Sequence, residues 1–182
     1  VNTLAPFLLS RLLLDLLLKA PYPRIVNTSS DVYKQGAIQT EEFLGKGSFS
    51  LMKSYANSKL GLMLWTYEMA ERLKHKPLTF RLIHPGFVPA TGIFRNIPFW
   101  MKPLMGLIRI MPMARTEKQG ARPIIEAAKS YKNQENKVAY IRENKLEQPA
   151  PMAVDSNTRN QLWAFLEEQS GLPALEDTIE RL

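Results

Sequence analysis

The stretch Ser54–Trp65 reads SYANSKLGLMLW and places Tyr55 four residues before Lys59. Residues four apart on a helix share a face, so a helix here points both side chains into one cleft. A phenol ordinarily titrates near pH ~10, too high for ready proton exchange at neutrality. A neighbouring ammonium favours the phenolate. General acid–base catalysis is most efficient when the group's pKa approaches the working pH. On its own the pair fits a decorated surface helix at least as well, and its neighbours must decide.

Working outward, the helix is predicted over Met52–Lys74 and stops before Pro77. Before it, RIVNTSS at 24–30 is a short β-branched run ending in hydroxyls. It reads as a buried parallel strand that delivers Ser29 and Ser30 to its carboxyl end. The polar segment 31–50 joins the two. After the helix, LTFRLIHPG gives a second buried strand with a Pro-Gly exit. Gly86 there suits close approach of a ligand to backbone, and equally a plain strand-ending turn.

A Met-, Pro- and aromatic-rich run follows, NIPFWMKPLMGLIRIMPM. Thr116 and Gln119 then form a capping-box pattern, with Pro123 predicting a kink or a later start. KVAYI reads as a third strand, and a last helix runs from near Ser156 to a terminating Gly171. The end, LPALEDTIERL, reads as a loosely held tail over 172–182. The chain opens with a helix over Thr3–Lys19, closed by Pro21 and Pro23. Arg11 and Asp15 share one of its faces and leave an apolar stripe for burial elsewhere. This order of elements predicts an α/β fold, a parallel sheet with helices on both faces and ligands beyond the strands' carboxyl ends.

Composition narrows the chemistry. The chain has 182 residues, 45% hydrophobic and 23% charged, enough for one core in a single domain. With no cysteine it has no disulfide, thiolate nucleophile or cysteine-built zinc site. His75 and His84 lack the further ligands a metal requires, so no metal is expected. The net charge of +7 is scattered and comes with no groove-reading motif, which argues against nucleic acid as a partner. An anionic cofactor or a membrane surface accounts for it equally. No apolar run reaches the length of a membrane span. Neither serine lies in a Gly-x-Ser-x-Gly elbow, which argues against a serine hydrolase.

Taken in order, VNTLAPFLLSRLL, RIVNTSS, YANSK, HPGFV and NQLWAFLEEQSGL make the sequence resemble the short-chain dehydrogenases/reductases, nearest their retinol-dehydrogenase-like branch. The resemblance covers almost the whole chain. It implies the C-terminal part of a doubly wound Rossmann fold, a three-layer αβα sandwich, in which residues 1–182 form one partial NAD(P)-binding domain. It implies that Tyr55 is the catalytic acid/base and that Lys59 holds the nicotinamide ribose. Ser30 then positions the substrate oxygen, and Asn2 holds a relay water. Pro85, Gly86 and Val88 pass beside the nicotinamide, with Thr91 near a phosphate, shifted one place by Pro89-Ala90. NADP is the expected cofactor, with NAD the alternative.

The resemblance also makes 94–115 a lid over a lipophilic substrate, such as a retinoid, steroid or long aliphatic. Helix packing against the core is the other reading of that apolar run. With Lys102, Arg109 and Arg115 beside it, the same run also suits a membrane surface, and the Leu-rich helix and the Met52–Lys74 helix suit a homodimer. The expected location is the cytoplasm or the cytosolic face of an intracellular membrane such as the endoplasmic reticulum. The family's glycine-rich pyrophosphate turn does not occur in the sequence. Roughly the first hundred residues of such an enzyme, with four strands, are therefore expected before Val1, and the chain alone is expected to be inactive. A non-catalytic dimerisation module is the rival reading.

Overall fold

A computed structural model describes residues 1–38, 50–89, 114–129 and 136–180. Among them the chain forms helix α1 (Leu4–Leu12), α2 (Leu14–Leu18), strand β1 (Arg24–Thr28) and a 3-10 turn (Asp31–Gln35). Helix α3 (Leu51–Arg72), β2 (Thr79–His84) and α4 (Glu117–Lys129) follow. Then come β3 (Val138–Arg142), β4 (Lys145–Glu147), a 3-10 turn (Pro151–Ala153), α5 (Ser156–Ser170) and α6 (Leu175–Glu180).

The sheet order is β1-β2-β3-β4. β1, β2 and β3 are parallel, with Val26 opposite Arg81 and Leu82 opposite Tyr140. β4 turns back antiparallel on β3 through Glu143 and Asn144, both at positive φ (51° and 65°). Two such residues make the tight turn whose twist matches a hairpin. The sheet is therefore mixed at this edge, where sequence periodicity predicted only parallel strands.

Alternation along β2 explains the layers. Phe80 and Leu82 join the core beneath α3, with Leu60, Leu64, Trp65 and Met69. Arg81, between them, points to the α4 side, where its neighbour Arg24 donates to the Ala127 carbonyl at the end of that helix. α3 is buried almost all round from Leu60 to Ala70, because the sheet covers one side and α1 and α5 the other. A helix sequence without a polar face is what such a central position requires.

Several ends form as the residues dictate. Thr116 Oγ1 accepts from the Gln119 amide at 3.2 Å, and Gln119 Oε1 accepts from the Thr116 amide at 2.8 Å. This is the reciprocal capping box. It starts α4 at Glu117 even though Pro123 lies inside the helix. Gly171 closes α5 at φ 65°. The tail is held more firmly than its composition suggested. Leu175 is fully buried, and its amide donates to Glu167.

The opening helix departs from expectation twice. It breaks at Leu13 (ψ 1°) into α1 and α2. Its apolar stripe is buried through Phe7 and Leu14, and Asp15 is exposed, but Arg11 does not share that exposure. Arg11 is 5% exposed, while Leu9, Leu12 and Leu16 stand 59%, 62% and 65% exposed. Arg11 is drawn inward by Glu167 at 2.7 Å and by the Pro173 carbonyl at 2.6 Å. Its guanidinium also lies over the Phe7 and Trp163 rings.

Candidate active site

The site lies at the carboxyl ends of β1 and β2, along the first turns of α3. Ser29 continues the β1 ladder by donating its amide to the Ile83 carbonyl at 2.8 Å, so the chain leaves both strands side by side. The two serines then part. Ser29 is buried with its hydroxyl 3.1 Å from the Met63 sulfur, a packing role. Ser30 is half-exposed and sits at the cap of the Asp31–Gln35 turn, its oxygen 3.5 Å from the Val32 amide.

One helical turn separates Tyr55 from Lys59, and the ammonium lies 5.6 Å from the centre of the Tyr55 ring, within cation–π range. Lys59 Nζ donates to the Thr28 carbonyl at 2.8 Å, which pins α3 to the last residue of β1 two positions before Ser30. Burial of Lys59 holds its pKa below the ordinary lysine value.

The three residues inside YANSK also have places, which the Tyr-Lys spacing did not reveal. Ala56 is overlaid by Gly36. A Cβ on that glycine would lie 2.8 Å from the Ala56 carbonyl oxygen, so the turn after Ser30 approaches α3 at backbone contact. Asn57 is buried and its Oδ1 accepts from the Ala37 amide at 2.9 Å. Ser58 donates to the Tyr55 carbonyl at 2.8 Å and accepts from Asn2 Nδ2 at 3.3 Å. Thr3 Oγ1 donates to the Ser58 carbonyl at 2.9 Å. Asn2 is thus attached to the Tyr55 turn through Ser58. Small residues between the tyrosine and lysine were the available signal, since only they permit such approach.

Beyond β2, Gly86 adopts φ 84°, and a Cβ there would meet Arg115 Cδ and Nε at 2.6 Å. The close neighbour of Gly86 is this arginine, which donates to the Pro85 carbonyl at 3.3 Å. The Arg115 amide bonds the Phe87 carbonyl at 2.8 Å. Val88 packs against Gly120 at the start of α4. Thr91 and residues 94–113 of the expected lid lie outside the described residues.

Three parallel strands with this motif order, with Tyr55 and Lys59 at their carboxyl end, coincide with a sequence match. The short chain dehydrogenase family profile matches residues 1–102. The chain belongs to the short-chain dehydrogenase/reductase family. Human retinol dehydrogenase 14 is 35% identical over 173 residues, covering 94% of this chain and 51% of that protein. Retinol dehydrogenase 12 of Bos taurus is 31% identical, over 90% of this chain and 50% of its own length. Bovine dehydrogenase/reductase SDR family member 13 is 28% identical, over 97% and 47%. The chain spans about half the length of these curated relatives. In fold it is similar to the crystal structure of an uncharacterized protein from Mycobacterium paratuberculosis, with TM-score 0.64 and 22% identity. That match covers 95% of this chain and 59% of the other. Among the described residues of this family member, no helix is long and apolar enough to cross a membrane.

Proposed function

We propose that this chain carries the catalytic half of an oxidoreductase that moves a hydride between NADP(H) and a lipophilic alcohol or carbonyl compound. The observation that carries the reading is Lys59, bonded to the Thr28 carbonyl at 2.8 Å with its ammonium beside the Tyr55 ring. An ammonium has three donors, so two remain to meet ribose hydroxyls when one is given to Thr28. NADP(H), when bound, supplies or accepts the hydride. In the reducing direction the carbonyl carbon gains that hydride and the carbonyl oxygen takes the Tyr55 hydroxyl proton. Oxidation reverses both transfers.

Ser30 donates its hydroxyl to the substrate oxygen, and Asn2 holds the water through which Tyr55 regains its proton. Pro85, Gly86, Val88 and Thr91 border the cofactor. The substrate class is supported by relatives bearing the name retinol dehydrogenase and by the apolar run Phe99–Ile108. The preference for NADP rests on the likeness to that branch. The glycine-rich turn that cradles pyrophosphate does not occur in these 182 residues. The reading therefore assigns that part of the cofactor to residues outside this chain and gives the chain alone no turnover.

The test is a hybrid in which this chain follows the preceding half of a retinol dehydrogenase relative. NADPH oxidation with retinoid, steroid and long aliphatic carbonyls is expected, faster than with NADH, and reduced roughly a hundredfold or more by Tyr55→Phe. Full activity in that variant would overturn the reading. The 182-residue chain alone is expected to bind no dinucleotide measurably, and micromolar NADP(H) binding in calorimetry would overturn that expectation. Flotation of the hybrid with phospholipid vesicles checks the membrane-surface location.

A second reading draws on the exposed Leu9, Leu12 and Leu16, with Leu51 and Met52 also exposed. Apolar surface of this kind suits a module that pairs two copies without catalysis. A monomer in sedimentation equilibrium at about 100 μM, well above the range of a specific dimer, removes this reading.

A further inference from the structure

The carboxyl ends of β1, β2 and β3 carry an ionic cluster that the Tyr55–Lys59 pair does not use. Its centre is Asp31, the residue after Ser30 and the first of the 3-10 turn. Asp31 Oδ1 accepts from the Tyr140 hydroxyl at 2.8 Å and pairs with Lys34 at 3.1 Å. Its Oδ2 pairs with Arg142 at 3.1 Å and lies 4.0 Å from His84 Nε2. Arg142 also faces Glu147 at 3.5 Å, and Arg115 faces Glu143 at 3.3 Å. One carboxylate on the segment that leaves β1 is thus bonded to Tyr140 and Arg142 of β3, with His84 at the end of β2 nearby. His84 in turn precedes Pro85 and Gly86.

The far end of the turn is held by buried Tyr33, whose hydroxyl accepts from the Ala150 amide at 2.8 Å, while its start depends on Asp31. Its N-terminal cap bond, Ser30 Oγ to the Val32 amide, is long at 3.5 Å. Its internal bonds include Tyr33 N–H to Ser30 O (3.0 Å) and Gly36 N–H to Tyr33 O (2.9 Å). A 3-10 segment of five residues does not sustain itself on those alone. Charge-assisted bonds are stronger than neutral ones, and Asp31 makes them to Tyr140 and Arg142 of β3. Burial raises the Asp31 pKa, but the bonds from Tyr140 and Lys34 and the His84 charge outweigh it and hold it below the usual carboxylate value. Burial, then the Asp31 bond, pushes the Tyr140 phenol upward, so Tyr140 remains a donor.

We propose that Asp31 is a positioning residue of this site: its carboxylate clamps the turn bearing Ser30 to the end of β3 and so sets where the Ser30 hydroxyl stands. The functional half of this statement rests on the reading of Ser30 as the group that holds the substrate oxygen.

Asp31→Asn keeps the side chain's shape and an acceptor for Tyr140 while removing the charge. In the 182-residue chain, amide exchange at Tyr33 is expected to accelerate about tenfold in this variant, with α3 and α5 amides unchanged. His84 should titrate lower by NMR, because the Asp31 charge raises it, while His75 stays in place. Asp31→Glu should restore most of both effects. Glu126→Gln, which breaks the surface pair with Arg122, should change neither. In the hybrid enzyme, Asp31→Asn should lower kcat roughly tenfold and leave the KM for NADPH unchanged. Unchanged exchange at Tyr33, or acceleration spread evenly over the chain, overturns the proposal. An inactive hybrid with selective acceleration at Tyr33 overturns the reading of function and leaves the clamp supported.

Discussion

The ammonium of Lys59 donates to the Thr28 carbonyl at 2.8 Å, and this contact couples the fourth residue after Tyr55 to the end of a strand 31 positions upstream. The bond aligns α3 with the mouth of the sheet. It also draws a cation partly out of water, which lowers its pKa through desolvation.

The sign of the resulting pH effect is set by that shift. Between the folded pKa and the ordinary lysine value of 10.5, the unfolded chain binds more protons at Lys59 than the folded one. Stability contributed by this group therefore rises with pH through that window. Urea midpoints from about pH 7 to about pH 10 should climb more in wild type than in Lys59→Met. Parallel profiles would contradict the assignment.

Gly36→Ala places a Cβ 2.8 Å from the Ala56 carbonyl and 3.0 Å from Leu60 Cβ. Backbone has to move, at a cost of about 1–3 kcal/mol in urea unfolding. The displacement should appear as shifted amide signals at Ala37 and Asn57, which share the 2.9 Å bond beside it.

Arg11 and Glu167 form a bridge at 2.7 Å with side chains 2% and 19% exposed. Arg11→Met leaves the carboxylate without its cation and is expected to cost about 3–5 kcal/mol. Arg11→Met combined with Glu167→Gln should recover part of that loss. A double variant as unstable as the sum of its two single variants would show that the pair is not coupled.

Gly86→Ala meets both positive φ (84°) and the Arg115 side chain at 2.6 Å. Removing the clash by Arg115→Ala should restore only part of the thermal stability, because the backbone strain remains, about 1–2 kcal/mol. Complete restoration would assign the whole cost to the arginine.

The helix bounds were legible to within a few residues where local chemistry sets them. Thr116 and Gln119 cap α4, and Gly171 ends α5 with no distant partner required. β4 escaped notice because three residues, Lys145–Glu147, carry too little alternation to register. The Glu143-Asn144 turn was its only local sign. The burial of Arg11 on α1 was missed for a different reason. Arg11 looks like a solvent residue until Glu167, 156 positions later, supplies its countercharge.

From its residues alone this protein determined the alternating elements and the pair Tyr55–Lys59, because caps, prolines and periodicity act over one or two helical turns; the likeness to the family lay in the order of its motifs. The tertiary structure alone decided that Ser29 is packed while Ser30 is half-exposed, that Asn2 reaches the site through Ser58, and that Asp31 meets Tyr140 from 109 residues away. Those contacts depend on chain crossings that bring remote groups within hydrogen-bond reach. No local pattern encodes a partner that distant, since its position follows from how every intervening element packs.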